Sequence, residues 1–148
     1  MDEQTLTEPE FEDLRCLAGL IIPASAKYNV PGADDDRIVS DIVGSIARDL
    51  GHVRTALSTL RALAGGSFAA LDATRRAEVA AKLRAEGGVP VRVLTRIILL
   101  CYYRDDRVMI SLGLEARPPF PKGHVVEQGD WSLLDPVRAR KPFWRPVS

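Results

Sequence analysis

Six of the ten prolines, Pro118, Pro119, Pro121, Pro136, Pro142 and Pro146, fall between residues 113 and 148. Proline removes a backbone donor and clashes with the preceding turn, so one inside a helix costs about 3 kcal/mol. Within a sheet it is confined to edges and bulges. The distribution therefore confines regular structure to residues 1–112 and makes 113–148 an extended, irregular arm. At 148 residues the chain has the length of one domain and can support a core.

The first 112 residues are read from apolar spacing. Thr7 followed by Glu10 is a capping-box pattern, and Phe11, Leu14, Leu17, Ala18 and Ile21 recur at helical intervals until Pro23 stops them. A loop with a Pro31-Gly32 turn leads to Asp34-Asp35-Asp36 and a second apolar face of Ile38, Val39, Ile42, Val43 and Ile46. Three adjacent carboxylates invite a cation-site reading. They lack the alternating ligands and closing Glu of a calcium loop, and acidic residues before a helix are explained by capping and the helix dipole. Gly51 is expected to close or bend this segment. A third helix is predicted over 52–64 on Val53, Ala56, Leu57, Leu60 and Leu63, stopped by Gly65-Gly66. The fourth has Val79, Ala80 and Leu83 inward and ends at Gly87-Gly88. The fifth, over 90–104, is the most apolar and the expected centre of the bundle, and a short turn over 106–112 closes at Gly113. Short Gly- or Pro-marked connections and no convincing strand pairs give an all-α small helical bundle.

Chemistry is sparse. His52 and His124 are the only histidines, and no nucleophile elbow, zinc motif or phosphate-binding loop accompanies them. His52 opens a helix and reads as a surface or capping residue. His124 could titrate near neutral pH in a contact. Cys16 and Cys101 stand in apolar surroundings without metal or redox spacing, as small buried hydrophobes. No catalytic, cofactor or metal site is expected, and the chain is not read as an enzyme. Twenty basic and twenty acidic residues leave no cationic surplus for nucleic acid. The run 89–103 is broken by Pro90, Arg92 and Arg96, so no membrane span is expected. Residues 1–12 are acidic and contain neither an arginine pair nor an apolar core, so no export signal is expected.

The arm is the informative part. It holds both tryptophans, Trp131 and Trp144, with Phe120, Leu133, Leu134 and Phe143. A solvating disordered tail lacks such residues; aromatics and arginine are those enriched at binding hot spots. Two readings follow: the arm folds back over its own bundle, or it embraces another protein.

The series Tyr102-Tyr103-x-Asp105-x-x-Val108, Leu112-Gly113, Arg117-Pro118-Pro119-Phe120-Pro121-x-Gly123, Asp130-Trp131-x-Leu133-Leu134-Asp135-Pro136-Val137-Arg138 and Trp144-Arg145 resembles the gluconate 2-dehydrogenase subunit 3 family. The early Leu17-x-x-Leu20-Ile21-Ile22-Pro23 resembles that family's N-terminal stretch, while the middle helices match only in type. The resemblance implies a non-catalytic small subunit accompanying an FAD-dependent sugar or alcohol dehydrogenase of the glucose-methanol-choline (GMC) type. The large subunit would carry FAD and perform the oxidation, and a cytochrome c or other acceptor would be reached through the complex. The small subunit would support folding, maturation and stability of its partner; the alternative is a transient maturation or export chaperone. Many members carry a twin-arginine export signal. None stands in residues 1–12, so the compartment reads as cytoplasmic, or periplasmic if the chain is exported with its partner. Carried over by position, the partner-binding candidates are Tyr102, Tyr103, Arg117, Pro119, Phe120, Pro121, Trp131, Leu134, Arg138, Trp144 and Arg145.

Overall fold

The computed structural model describes residues 5–117, 123 and 125–141. It is all-α, with seven helices and no strand among the described residues. The chain forms two compact units, Met1–Ala116 and Arg117–Ser148, close to the boundary that the prolines suggest.

In the first unit, α1 spans Glu8–Ile21. Thr7 starts it by donating its backbone N–H and its hydroxyl to the Glu10 carboxylate, at 2.8 and 2.9 Å. Pro23 ends it by holding Ile22 extended, at φ −133° and ψ 92°. The buried face is Leu14, Leu17 and Ala18 together with Asp13, while Phe11 lies half-buried and Ile21 is exposed. Asp13 is tolerated there because its carboxylate accepts the Ala69 N–H at 2.9 Å and the Ser67 hydroxyl at 3.3 Å, with Arg61 Nε 3.6 Å away. The pairing ties the 65–72 connection to α1 and lets Phe68 bury completely.

α2 (Asp36–Ser45) is capped by Asp35, which accepts the Arg37 N–H at 3.1 Å. A single 3-10 turn (Ala47–Asp49) then leads directly into α3 (Leu50–Ala64). The bend therefore precedes Gly51, which lies within the first turn of α3. Backbone donors there have no intrahelical partner in any case, so glycine disturbs little. Gly65, at φ +72°, stops α3; its N–H and that of Gly66 return to Ala62 and Arg61 carbonyls at 3.2 and 3.0 Å. α4 (Ala73–Glu86) starts from Asp72 and buries Val79 and Leu83. α5 (Gly88–Tyr103) begins two residues before Pro90, and α6 (Asp106–Ser111) follows one turn later.

The hub is α3 rather than α5. It packs against α1, α4 and α5, and Val53, Ala56, Leu57 and Leu60 on it are wholly buried. α5 packs on α3 and α2 through Leu94, Ile97, Ile98, Cys101 and Tyr102. Its other side leaves Val89, Leu99, Leu100 and Tyr103 exposed.

The second unit is less extended than its prolines suggest. Trp131–Leu134 form a 3-10 turn that runs into α7, Asp135–Arg138. Asp130 starts the run by accepting from the Ser132 N–H and hydroxyl at 3.0 and 2.6 Å. Pro136 sits in the first turn of α7, where its missing N–H and fixed φ are no handicap.

Candidate partner-binding surface

Within the first unit, the candidates lie where α5 turns into α6. Tyr102 is a core residue: it is buried and its hydroxyl donates to the Pro31 carbonyl at 3.3 Å. Burial pushes its phenol pKa up, and the neighbouring Tyr103 and Asp105 push the same way. Tyr103 is 54% exposed and meets Tyr102 edge to face, with centroids 5.2 Å apart at 87°. One tyrosine thus anchors the corner while its neighbour is offered to solvent.

The corner is held by an ion-pair network that spacing alone did not reveal. Asp105 caps α6 by accepting the Arg107 N–H at 2.9 Å, and also takes Arg107 Nε at 2.9 Å and Nη2 at 3.0 Å. The same guanidinium reaches Asp35, the α2 cap, at 2.7 and 3.1 Å. A single arginine therefore joins the N-termini of two helices whose caps are 70 residues apart in the chain. Hydrogen bonds from Arg107 hold both carboxyls below their usual range, and the two carboxylates push the guanidinium pKa up in return. Arg104 adds a second tie, donating to the Asp41 carboxylate and to the Ser45 hydroxyl. Two of the three aspartates at the start of α2 thus have assigned partners, Asp35 with Arg107 and Asp36 with Arg15 at 2.6 Å.

A cleft of about 590 Å³ between α2 and the α5–α6 corner is lined by Arg37, Asp41, Ser45, Cys101, Arg104 and Asp105, among others. Asp41 and Asp105 are both engaged by arginine, and burial raises the Cys101 thiol. Neither is poised as a free base or thiolate nucleophile. Both cysteines are free thiols. Among the described residues no three His, Cys, Asp or Glu side chains gather as a metal site, and no helix is long and apolar enough to cross a membrane. His52 is exposed in the first turn of α3, and His124 lies outside the described residues.

Beyond the corner, Ile110, Leu112 and Leu114 are each more than half exposed. With Leu100 and Tyr103 they give the end of the first unit a run of solvent-facing apolar side chains. Ile110 also lines a groove of about 800 Å³ with Val30, Pro31 and Arg107.

In the second unit, Trp131, Leu134 and Arg138 occupy successive turns of one short helical run, spaced three and four apart. Arg138 pairs with Asp135 at 3.2 Å. Arg117 donates to the Gly123 carbonyl at 2.8 Å. Pro119, Phe120, Pro121, Trp144 and Arg145 lie outside the described residues. Comparison of the chain with protein-family models, with curated proteins and with solved structures finds no match.

Proposed function

We propose that this chain is the non-catalytic small subunit of an FAD-dependent, GMC-type sugar or alcohol dehydrogenase, and that it supports folding, maturation and stability of the catalytic large subunit. The observation that carries the proposal is the ordered series from Tyr102 through Arg117 and Trp131 to Trp144-Arg145, which resembles the gluconate 2-dehydrogenase subunit 3 family. Exposed Tyr103 and Trp131 support the reading, because large aromatics at a surface are the residues that become hot spots when a partner covers them. So does the corner network, which presents Tyr103 on a rigid base and lowers the ordering cost of binding. FAD belongs to the partner in this proposal, and the chain itself carries no cofactor.

The test is co-purification. The full chain, tagged in its own host, should bring down a flavoprotein of dehydrogenase size in equal amount. Expressed alone, it should show no flavin absorbance and no sugar- or alcohol-oxidising activity. If this chain accompanies the flavoprotein during maturation and is absent from the active enzyme, a transient chaperone replaces the permanent subunit. Flavin or activity in the isolated chain would overturn both.

A further inference from the structure

A second cleft, of about 710 Å³, lies between α1, α4 and α5 and takes no part in the corner surface. Its floor comes from α4, where Ala77, Ala80 and Ala81 share one face and Arg84 follows on the next turn. Leu20 and Ile21 of α1 form one side and Val91 of α5 the other. The opening exists because three alanines stand where longer side chains would fill the space. α4 itself buries only Val79 and Leu83. Leu20 and Ile21 are left 37% and 36% exposed at the rim.

From Ala77 to Arg84 the floor runs about 10 Å at 1.5 Å per residue. That length matches two turns of a facing helix with anchors at i, i+3 or i+4, and i+7. Alanine on the receiving side lets a helix backbone approach closely. The charge is one-sided. Among the described residues Arg84 is the only ionisable one lining the cleft, and it makes no ion pair with any of them. Lys82 and Arg92, next in sequence to the lining residues Ala81 and Val91, are exposed and likewise without an ion pair among the described residues. Glu78 on α4 is already held by Arg75 at 2.6 Å, and Glu86 does not line the cleft.

We propose that this cleft seats an acidic amphipathic helix of the protein that the chain accompanies, with aliphatic side chains on the alanine floor and a carboxylate on Arg84. A guanidinium without an ion pair among the described residues receives a carboxylate in a two-bond, oriented contact, and an apolar floor without acidic residues among those described offers a basic helix no counter-charge. The inference rests on the companion-subunit reading only for the identity of the partner.

The experiment uses the full-length chain in its own host, with a photo-crosslinking residue introduced as Ala81→p-benzoyl-phenylalanine and, separately, as Leu133→p-benzoyl-phenylalanine. The expected Ala81 adduct falls on a helical segment with apolar residues three and four apart and an Asp or Glu within one turn. That segment should belong to the flavoprotein also captured from Leu133. Arg84→Glu should reduce the Ala81 adduct about tenfold, and Ala77→Trp, which fills the cleft, should abolish it, both with helical circular dichroism unchanged. An adduct from Leu133 with none from Ala81 would overturn the docking inference and leave the subunit reading standing. An Ala81 adduct on lipid, or on a second copy of this chain, would do the same. An Ala81 adduct on an acidic helix of a protein without flavin would sustain the inference and overturn the subunit reading. No adduct from either position would overturn both.

Discussion

α3 and α5 are nearly equal in length, and α5 is the more apolar by sequence, yet α3 is the helix the bundle is built around. α3 carries Thr55 and Ser58 on its outer side and wholly buries Val53, Ala56, Leu57 and Leu60. α5 buries five residues and still shows Val89, Leu99, Leu100 and Tyr103 to solvent. Apolar content beyond what the core can take up does not make a helix central. It leaves a run of exposed apolar side chains, the surface on which the proposed subunit reading would seat its partner.

The largest effect is expected on the buried face of α3. Leu57→Ala on α3 should lower unfolding free energy by about 3 kcal/mol in chemical denaturation, because it removes transfer energy and leaves a cavity among wholly buried neighbours. If the loss were under about 1 kcal/mol, α3 would not be the hub.

The next effect is at the corner where α5 ends. Arg107→Ala should cost about 2 kcal/mol, since Asp105 is buried and would lose its charged donor, while the exposure of Arg107 moderates the loss. The pH dependence sharpens this. Asp35 and Asp105 have folded-state pKa values below the ordinary carboxylate value, so the unfolded chain binds their protons first as pH falls. Their contribution is present at neutral pH and is lost as pH drops below about 4 toward the folded-state values. Denaturation followed from pH 6 to pH 2 should show a steep loss in the wild type and a shallower one in Arg107→Ala.

A smaller effect is expected at the start of α4. Asp72→Ala removes the acceptor for the Arg75 N–H and should cost about 1 kcal/mol.

The smallest stability effect falls on the exposed end of the comparison. Leu100→Ser and Tyr103→Ser should change unfolding free energy by about 0.5 kcal/mol or less. Both should nevertheless weaken capture of the flavoprotein in the co-purification experiment. A large stability loss with unchanged capture would return these side chains to the core and end their role as a surface.

Much of the bundle was legible because its signals are local. The Thr7–Glu10 pair, Pro23, the aspartates before Ile38 and the paired glycines each act on backbone groups within a few residues. Helix limits accordingly fell within about two residues of their expected places. Gly51 was misplaced as a break because glycine's effect depends on where in a helix it stands, which only the preceding 3-10 turn reveals. The helical run at 131–138 was hidden for the same kind of reason: Pro136 forbids a helix interior and suits a first turn. Asp13 and Phe68 were not legible at all. A buried carboxylate on an apolar face and a phenylalanine in a glycine-flanked connection acquire meaning only when residues more than 50 positions apart meet.

The helical class, the starts and stops of the main helices, and the division between a proline-poor bundle and a proline-rich arm were legible in the chain alone. Those depend on propensity, capping and spacing, which act over one or two turns. Which helix lies at the centre, that Tyr102 is core while Tyr103 is surface, and that Arg107 ties together the caps of α2 and α6 came from the packed fold. Those are matters of which faces meet, and the energy that settles them is the burial of side chains distant in sequence.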